Sequence, residues 1–90
     1  LRLNQNVPNP FNPTTLISYA LESQDEVLIT IHDVRGQLVR TLFAGRRAAG
    51  THAVAWDGTD DSGAQVASGT YVYTLETGSR RTSRKMSLVR

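Results

Sequence analysis

Apolar and polar residues alternate with a period of two along most of this chain, which limits it to folds built from extended strands. In the stretch EVLITIHDV, Val27, Ile29 and Ile31 fall on one face of an extended chain. Thr30 and His32 fall on the other face. Similar runs, rich in β-branched and aromatic residues, predict strands near residues 1–5, 14–22, 26–34, 37–43, 51–57, 69–77 and 81–89. We therefore expect an all-β, immunoglobulin-like β-sandwich of about seven short antiparallel strands in two sheets.

Glycine-containing turn signals separate these runs at short intervals. In DVRGQ, Asp33 can cap the turn and Gly36 can take the positive φ that closes a hairpin. The other glycines are expected outside the strands or at their ends.

One stretch, RGQLVRTLFAGRRAA, also allows a helix, because Leu38 and Leu42 would share a helical face. A strand over residues 37–43 is the preferred interpretation. A hairpin turn precedes it, and Gly45 would end a helix early.

All three prolines lie in the first 13 residues, within NQNVPNPFNPTT. Proline lacks an N–H and fixes φ, so it is excluded from central strands and pushes the preceding residue towards extended geometry. We predict a single domain over residues 1–90, with a stiff, extended N-terminal segment at 1–13 and a sandwich body at 14–90. In this segment, Asn9 and Asn12 are expected to bond the backbone, and Phe11 to plug one end of the core.

Composition excludes several classes of function. Ninety residues allow one domain with a thin core, and the absence of cysteine rules out disulfides and thiolate chemistry. A net charge of +2 is far below that of a dedicated nucleic-acid binder. No apolar run is long enough for a transmembrane helix, so membrane insertion is not expected. We expect no signal peptide within these residues, and we interpret the start at Leu1 as that of a fragment, the excised end of a larger protein.

Catalytic residue patterns are not evident, so the chain is not expected to be an enzyme. His32 and Asp33 are adjacent, and on a strand their side chains would point to opposite faces. That geometry does not suit a base oriented by a carboxylate, as in a Ser-His-Asp triad. His52 is expected, like His32, at the surface or rim of a strand.

The acidic stretch DGTDDSG is the candidate metal site. Asp57, Asp60 and Asp61 would stand at positions 1, 4 and 5 of a calcium loop, which does not match the alternating ligands of such loops. The favoured interpretation is a polar loop in which Asp57 and Asp60 accept backbone N–H bonds. We therefore expect no metal and no other cofactor.

Basic residues concentrate in the stretch SRRTSRK, which contains Arg80, Arg81, Arg84 and Lys85. Nucleic-acid modules need exposed aromatic residues beside such charge, whereas those of this chain fall mostly on core-facing positions. No nucleic-acid partner is expected, and the charges either protect an edge strand or dock on a protein. Trp56 also has core parity, which favours a core position over a carbohydrate-binding platform.

Several motifs in succession resemble one family. The chain carries Asn-Pro-Phe-Asn-Pro, Asp-x-x-Gly, Trp-Asp-Gly, Ala-Ser-Gly-x-Tyr and a terminal Lys-Met, in that order and over essentially its whole length. Together they resemble the C-terminal sorting domain of the type IX secretion system, type A. That domain is related to the immunoglobulin-like domain of flagellar hook-capping proteins. The residues that carry the resemblance are Asn9, Pro10, Phe11, Asn12, Pro13, Asp33, Gly36, Trp56, Asp57, Gly58, Ser68, Gly69, Tyr71, Lys85 and Met86.

The resemblance implies a secretion signal. Domains of this family direct an N-terminal passenger protein through the periplasm to an outer-membrane translocon, and the passenger then reaches the cell surface or the medium. A sortase-like peptidase removes the domain, and its terminal Lys-Met motif is important for export. The alternative is an uncleaved immunoglobulin-like spacer, in a hook-capping protein or an extracellular enzyme, or a carbohydrate-binding accessory module of such an enzyme.

Strand parity adds a prediction about the terminal Lys-Met motif, which we call the end motif. Lys85 has the opposite parity to Met86 and Leu88, so it should point outwards when they are buried. The last strand and the chain end are expected at the surface. We predict that Lys85, with Arg81 and Arg84 nearby, docks on an acidic surface of the export machinery.

Overall fold

The computed structural model describes residues 1–90 as seven β-strands without a helix. The strands are β1 (Arg2–Leu3), β2 (Thr15–Leu21), β3 (Asp25–Asp33), β4 (Leu38–Arg47), β5 (Gly50–Trp56), β6 (Gly69–Glu76) and β7 (Arg81–Leu88). The stretch that also allowed a helix forms strand β4. The structure contains no helical segment that could span a membrane.

Two antiparallel sheets pack face to face. One sheet has the strand order β1-β2-β5, and the other has the order β4-β3-β6-β7. The chain changes sheet after β2, after β4 and after β5, as expected of a sandwich rather than a single meander. The predicted immunoglobulin-like β-sandwich is confirmed.

The inner faces of the two sheets meet in a core of 14 buried apolar residues. In β3, Val27, Ile29 and Ile31 are at most 2% exposed, as the period of two predicts. The other core residues are Leu3, Phe11, Ile17, Tyr19, Leu21, Trp56, Tyr71, Tyr73, Leu75, Met86 and Leu88. Burial of this apolar surface is the main favourable contribution to folding. Strand β4 contributes no fully buried side chain.

Strand β4 differs from the prediction in its length and in its glycine. It runs from Leu38 to Arg47, beyond residue 43, and Gly45 lies inside it opposite Val27. The expectation that no glycine lies within a strand was therefore wrong. A Cβ at position 45 would lie 3.4 Å from the ring of Phe43, which is an ordinary van der Waals contact.

The connections at the two ends of the sandwich differ in length. At one end, short turns at residues 22–24, 48–49 and 77–80 join consecutive strands, and we call it the short-loop end. The other end carries residues 4–14 of the N-terminal segment, the turn at 34–37, a long loop at 57–68 and the last residues of the chain. We call it the motif end.

Candidate functional site

The sequence motifs converge on the motif end. The Asp-x-x-Gly turn follows β3, Trp-Asp-Gly opens the long loop, and Ser68 and Gly69 close it. The Lys-Met motif lies beside them because Met86 of β7 pairs with Tyr71 near the start of β6. Antiparallel strand order thus brings motifs distant in sequence to one region of the surface.

The N-terminal segment crosses the motif end from one sheet to the other. Val7 pairs with Leu16 of β2, and Phe11 pairs with Leu88 of β7. The chain bends at residues 8–10 and again at 12–13. The predicted course over one end of the sandwich is confirmed. The prediction of an extended course was wrong, because the segment must turn to reach backbone partners in both sheets.

Phe11 closes the core at this end. Its side chain is 2% exposed, and its ring centroid lies 5.6 Å from that of Trp56, which in turn lies 5.3 Å from that of Tyr71. The indole N–H of Trp56 donates to the Thr59 carbonyl at 2.8 Å, and the Tyr71 hydroxyl donates to the Ala67 carbonyl at 2.6 Å. The predicted plug is confirmed. Burial of Trp56 contradicts a carbohydrate-binding platform built on that ring.

Backbone pairing attaches the segment to the end of β7. The Phe11 N–H donates to the Ser87 carbonyl at 3.0 Å, and the Val89 N–H donates to the Phe11 carbonyl at 2.9 Å. The Asn9 Oδ1 accepts from the Ser87 N–H at 2.9 Å, which is the tie expected of this side chain. This part of the edge of β7 is therefore covered.

A second tie comes from Asn6 rather than from Asn12, which is exposed. Asn6 is 2% exposed, and its Nδ2 donates to the Pro8 carbonyl at 3.1 Å and to the Thr15 hydroxyl at 3.0 Å. Its N–H donates to the hydroxyl of Tyr73 at 2.9 Å, and burial raises the pKa of that tyrosine above 10.0. No periodicity marks Asn6, because its burial depends on contacts with strands distant in sequence.

The turn after β3 forms as predicted. The Asp33 Oδ1 accepts from the N–H groups of Arg35 and Gln37 at 2.9 and 3.0 Å. Gly36 has φ of 87°, which non-glycine residues adopt only with strain. Asp33 and Gly36 therefore act in the turn itself.

Two aspartates organise the long loop. Asp57 accepts from the N–H and the hydroxyl of Thr59, and Asp60 accepts from Ser62 and from the Ala64 N–H. The Thr59 hydroxyl lowers the pKa of Asp57 below 3.8, and the Ser62 hydroxyl does the same for Asp60. No three acidic or histidine side chains converge as metal ligands would. The bonds are those predicted for a polar loop.

Arg90 fastens the chain end to the long loop. Its N–H donates to the Ser68 hydroxyl at 2.9 Å, its Nε donates to the Val66 carbonyl at 2.6 Å, and its Nη2 donates to the Gly58 carbonyl. Gly58 has φ of 77°, and a Cβ there would lie 2.7 Å from Arg90 and 3.3 Å from the Pro13 carbonyl oxygen. Sequence reasoning gave Arg90 no role, since it lies outside the alternating pattern of the predicted strands. The chain end lies at the surface as expected but is bonded there.

The basic residues of β7 point to different faces of the strand. Met86 and Leu88 are 1% exposed and Lys85 is exposed, so the predicted parity is confirmed. Arg81 shares the outer face of the four-stranded sheet with Lys85, and a shallow concavity on that face is lined by both. Arg84 has the opposite parity, and its Nε donates to the carbonyl of Leu3 at 2.7 Å. The grouping of Arg84 with Lys85 in one docking patch was therefore wrong.

The two histidines lie in different sheets. His52 of β5 has its Nε2 2.8 Å from the Ala48 carbonyl oxygen, and its ring centroid lies 5.5 Å from that of Tyr19. His32 is half-buried on β3, opposite Val72.

Comparisons with known proteins agree with this architecture. The family model described as FlgD Ig-like domain matches residues 9–81. The basal-body rod modification protein FlgD of Escherichia coli K12 is 39% identical over 61 residues, which are 64% of this chain and 26% of that protein. The chain thus spans about a quarter of the length of the curated relatives that it matches.

Solved structures show the same fold in two settings. FlgD from Xanthomonas campestris, described as a hook-capping protein essential for flagellar assembly, superposes with a TM-score of 0.67 and 28% identity, over 94% of this chain and 64% of that chain. PorZ from Porphyromonas gingivalis is described as an essential bacterial surface component of the type IX secretion system. It superposes with a TM-score of 0.63 and 24% identity, over 96% of this chain and 11% of that chain.

Proposed function

The chain belongs to the FlgD Ig-like domain family, and on this premise we propose that it is a non-catalytic sorting domain of the type IX secretion system. In this proposal the domain directs an N-terminal passenger protein through the outer membrane by way of an outer-membrane translocon. A sortase-like peptidase then removes the domain, and the passenger stays at the cell surface or enters the medium. The domain contributes a stable fold and a recognition surface.

The observation that carries the proposal is the contrast between the two residues of the end motif. Met86 is 1% exposed and packs β7 onto the core. Its neighbour Lys85 is exposed and takes part in none of the ion pairs of the domain. A cation held outwards by a buried neighbour on a paired strand suits recognition by an acidic protein surface.

The other motif residues support the proposal in a different way. The core at the motif end is filled by Phe11, Trp56 and Tyr71. Arg90 donates hydrogen bonds to the Ser68 hydroxyl and the Gly58 carbonyl. Their contribution is to keep the domain folded during passage through the periplasm. A sorting domain needs this stability as much as it needs a contact residue.

A second candidate is a structural domain of a hook-capping protein. The match to the FlgD Ig-like family and the 39% identity to the E. coli protein favour it directly. In that role the domain would act as an uncleaved spacer. The domain could equally be an uncleaved accessory module of an extracellular enzyme.

An export assay separates these candidates. A periplasm-directed reporter enzyme is fused to the N-terminus of residues 1–90 and expressed in a bacterium with an active type IX system. The sorting proposal predicts reporter activity outside the outer membrane and, by mass spectrometry, a reporter without the domain. Retention of the intact fusion in the periplasm would support the spacer.

A charge reversal tests the recognition step. We expect Lys85→Glu to lower export about tenfold, the effect of a loss of roughly 1.4 kcal/mol in binding. Arg35→Glu is the matched control, because its side chain is 79% exposed and lies on the turn after β3. Equal export of both variants, each shown to be folded, would contradict a contact through Lys85. Deletion of residues 85–90 is less informative, since it also removes two core residues.

A further inference from the structure

The outer edges of the two sheets are protected to very different degrees. An exposed edge strand presents unpaired N–H and C=O groups to other chains, and natural proteins cover or charge such edges. The edge of β7 is covered by the N-terminal segment near Ser87 and Val89. Further along β7, the Lys85 carbonyl accepts from the Gln5 side chain, and Arg81 adds charge.

The edges at β4 and β1 are protected as well. The Asp61 N–H donates to the Val39 carbonyl at 3.1 Å, and the Asp61 carboxylate accepts from the Thr41 N–H at 3.0 Å. The long loop thus covers part of β4. Strand β1 has only two residues, and the carbonyl of its Leu3 accepts from Arg84.

Strand β5 is the exception. It has seven residues, pairs only with β2, and contains neither a charged residue nor proline between Gly50 and Trp56. Its exposed residues Thr51, Ala53 and Ala55 are small and uncharged, so this edge lacks the charged side chains and prolines that discourage pairing. No other segment of the chain pairs with this side of β5.

Ladder geometry shows which groups of β5 are open. In β2, the backbone groups of Leu16 and Ser18 bond to the N-terminal segment, so those of the alternate residues face β5. Alternation then directs the N–H and C=O groups of Thr51, Ala53 and Ala55 away from β2. All three residues are exposed.

We propose that β5 is a pairing edge for a second copy of this chain, in an antiparallel two-fold arrangement centred on Ala53. In this register Ala53 faces its own counterpart and Thr51 faces Ala55, each as a hydrogen-bonded pair. The arrangement forms about six backbone hydrogen bonds. It joins the two three-stranded sheets into one continuous sheet of six strands, with a self-complementary interface.

Charge complementarity favours a second copy and sets its direction. Arg47 precedes β5 and Asp60 follows it, and neither takes part in an ion pair within the domain, whereas Arg46 pairs with Glu26, and Asp57 and Asp61 pair with Arg40. An antiparallel pair brings the basic end of one strand beside the acidic end of the other, and a parallel pair would bring like charges together. The facing side chains are small and uncharged, so the edges can approach closely.

Sedimentation velocity of the domain over the micromolar to millimolar range tests the proposal. The wild-type chain should pass from monomer to dimer, and Ala53→Lys should stay monomeric because two lysines would meet at the two-fold axis. Leu16→Lys is the matched control, since Leu16 is 49% exposed on the same sheet but on its middle strand. A monomeric wild-type chain would overturn the proposal, as would a dimer that Ala53→Lys leaves intact. Association lost only in Leu16→Lys would also overturn it, by placing contact on the sheet face.

A paired charge substitution tests the register. Thr51→Lys combined with Ala55→Glu in one chain places opposite charges across an antiparallel interface, so the dimer should persist. Thr51→Glu combined with Ala55→Glu places like charges there, and the dimer should dissociate. Circular dichroism checks that every variant is folded. Equal association of the two double variants would overturn the antiparallel register.

Discussion

The two ends of the sandwich close the same core by different means. At the short-loop end, turns of two to four residues join consecutive strands, and the side-chain bonds that hold them, such as those of Asp25 to Gly78 and of His52 to Ala48, are exposed. At the motif end, the long connections leave backbone groups that no strand satisfies, and buried or bonded side chains satisfy them instead. Asn6, Asn9, Asp57 and Arg90 all do so.

This difference explains where the sequence motifs occur. A short turn places few demands on its residues beyond a suitable backbone conformation. A long loop requires particular side chains at particular positions, because each satisfies a defined carbonyl or N–H group. The motifs at this end therefore reflect folding to a large extent, and Lys85, which is exposed, is the member available for recognition.

Among the variants that compare the two ends, loss of the Phe11 ring should lower the stability of the domain the most. Phe11→Ala leaves a cavity beside Trp56 and should lower the free energy of unfolding by about 3–5 kcal/mol, measured by urea denaturation. Val7→Ala is the control within the same segment, because Val7 is 69% exposed, and it should change stability by less than about 0.5 kcal/mol. A cost near zero for Phe11→Ala would show that the motif end closes without the plug.

Removal of the buried Asn6 side chain should lower the stability of the domain by an intermediate amount. Asn6→Ala removes two hydrogen bonds, to the Pro8 carbonyl and to the Thr15 hydroxyl, although these two groups still bond to each other, and should cost about 1–3 kcal/mol by urea denaturation. Asn12→Ala, in the same segment but exposed, should be close to neutral. Equal effects of the two variants would contradict the assignment of the tie to Asn6.

Arginine truncation compares the two ends directly. Arg90→Ala removes side-chain bonds to the Val66 and Gly58 carbonyls at the motif end and should cost about 1 kcal/mol. Arg80→Ala at the short-loop end removes only an exposed ion pair to Glu22, and should cost less than about 0.5 kcal/mol. A larger loss of thermal stability for Arg80→Ala would reverse the comparison.

Acid should weaken the long loop by a small amount. The pKa values of Asp57 and Asp60 are lowered in the folded state, so their contribution is present above pH 3.8 and is lost as pH falls through the folded values. The variant Asp57→Asn/Asp60→Asn should be less stable at neutral pH and should lose less stability on acidification. Urea midpoints from neutral to acidic pH measure this. If the double variant lost as much stability on acidification as the wild-type chain, Asp57 and Asp60 would not be the source of the acid sensitivity.

The sequence predicted the features that depend on local pattern. The period of two identified the strands, and parity placed Trp56 and Met86 in the core and Lys85 outside it, while the place of Phe11 in the proline-rich segment predicted its role as a plug. It did not find Asn6, because the burial of a loop residue depends on strands remote in the chain.

Other misses have the same origin. Arg84 has core-facing parity, but it lies on the edge strand β7, stays exposed and donates to the Leu3 carbonyl. Gly45 was expected outside the strands, because glycine is depleted in strand interiors, but β4 continues through it to Arg47. The open edge of β5 could not be read from local sequence either, because it follows from which segments cover the other edges.

Amide hydrogen exchange along β7 tests most directly the claim that the N-terminal segment is part of the fold at the motif end. The Ser87 and Val89 amides donate to Asn9 and Phe11, whereas the Ser83 amide, of the same parity as Ser87, faces the uncovered part of the edge. The account predicts slow exchange at Ser87 and Val89 and fast exchange at Ser83. Exchange at Ser87 and Val89 as fast as at Ser83 would contradict it.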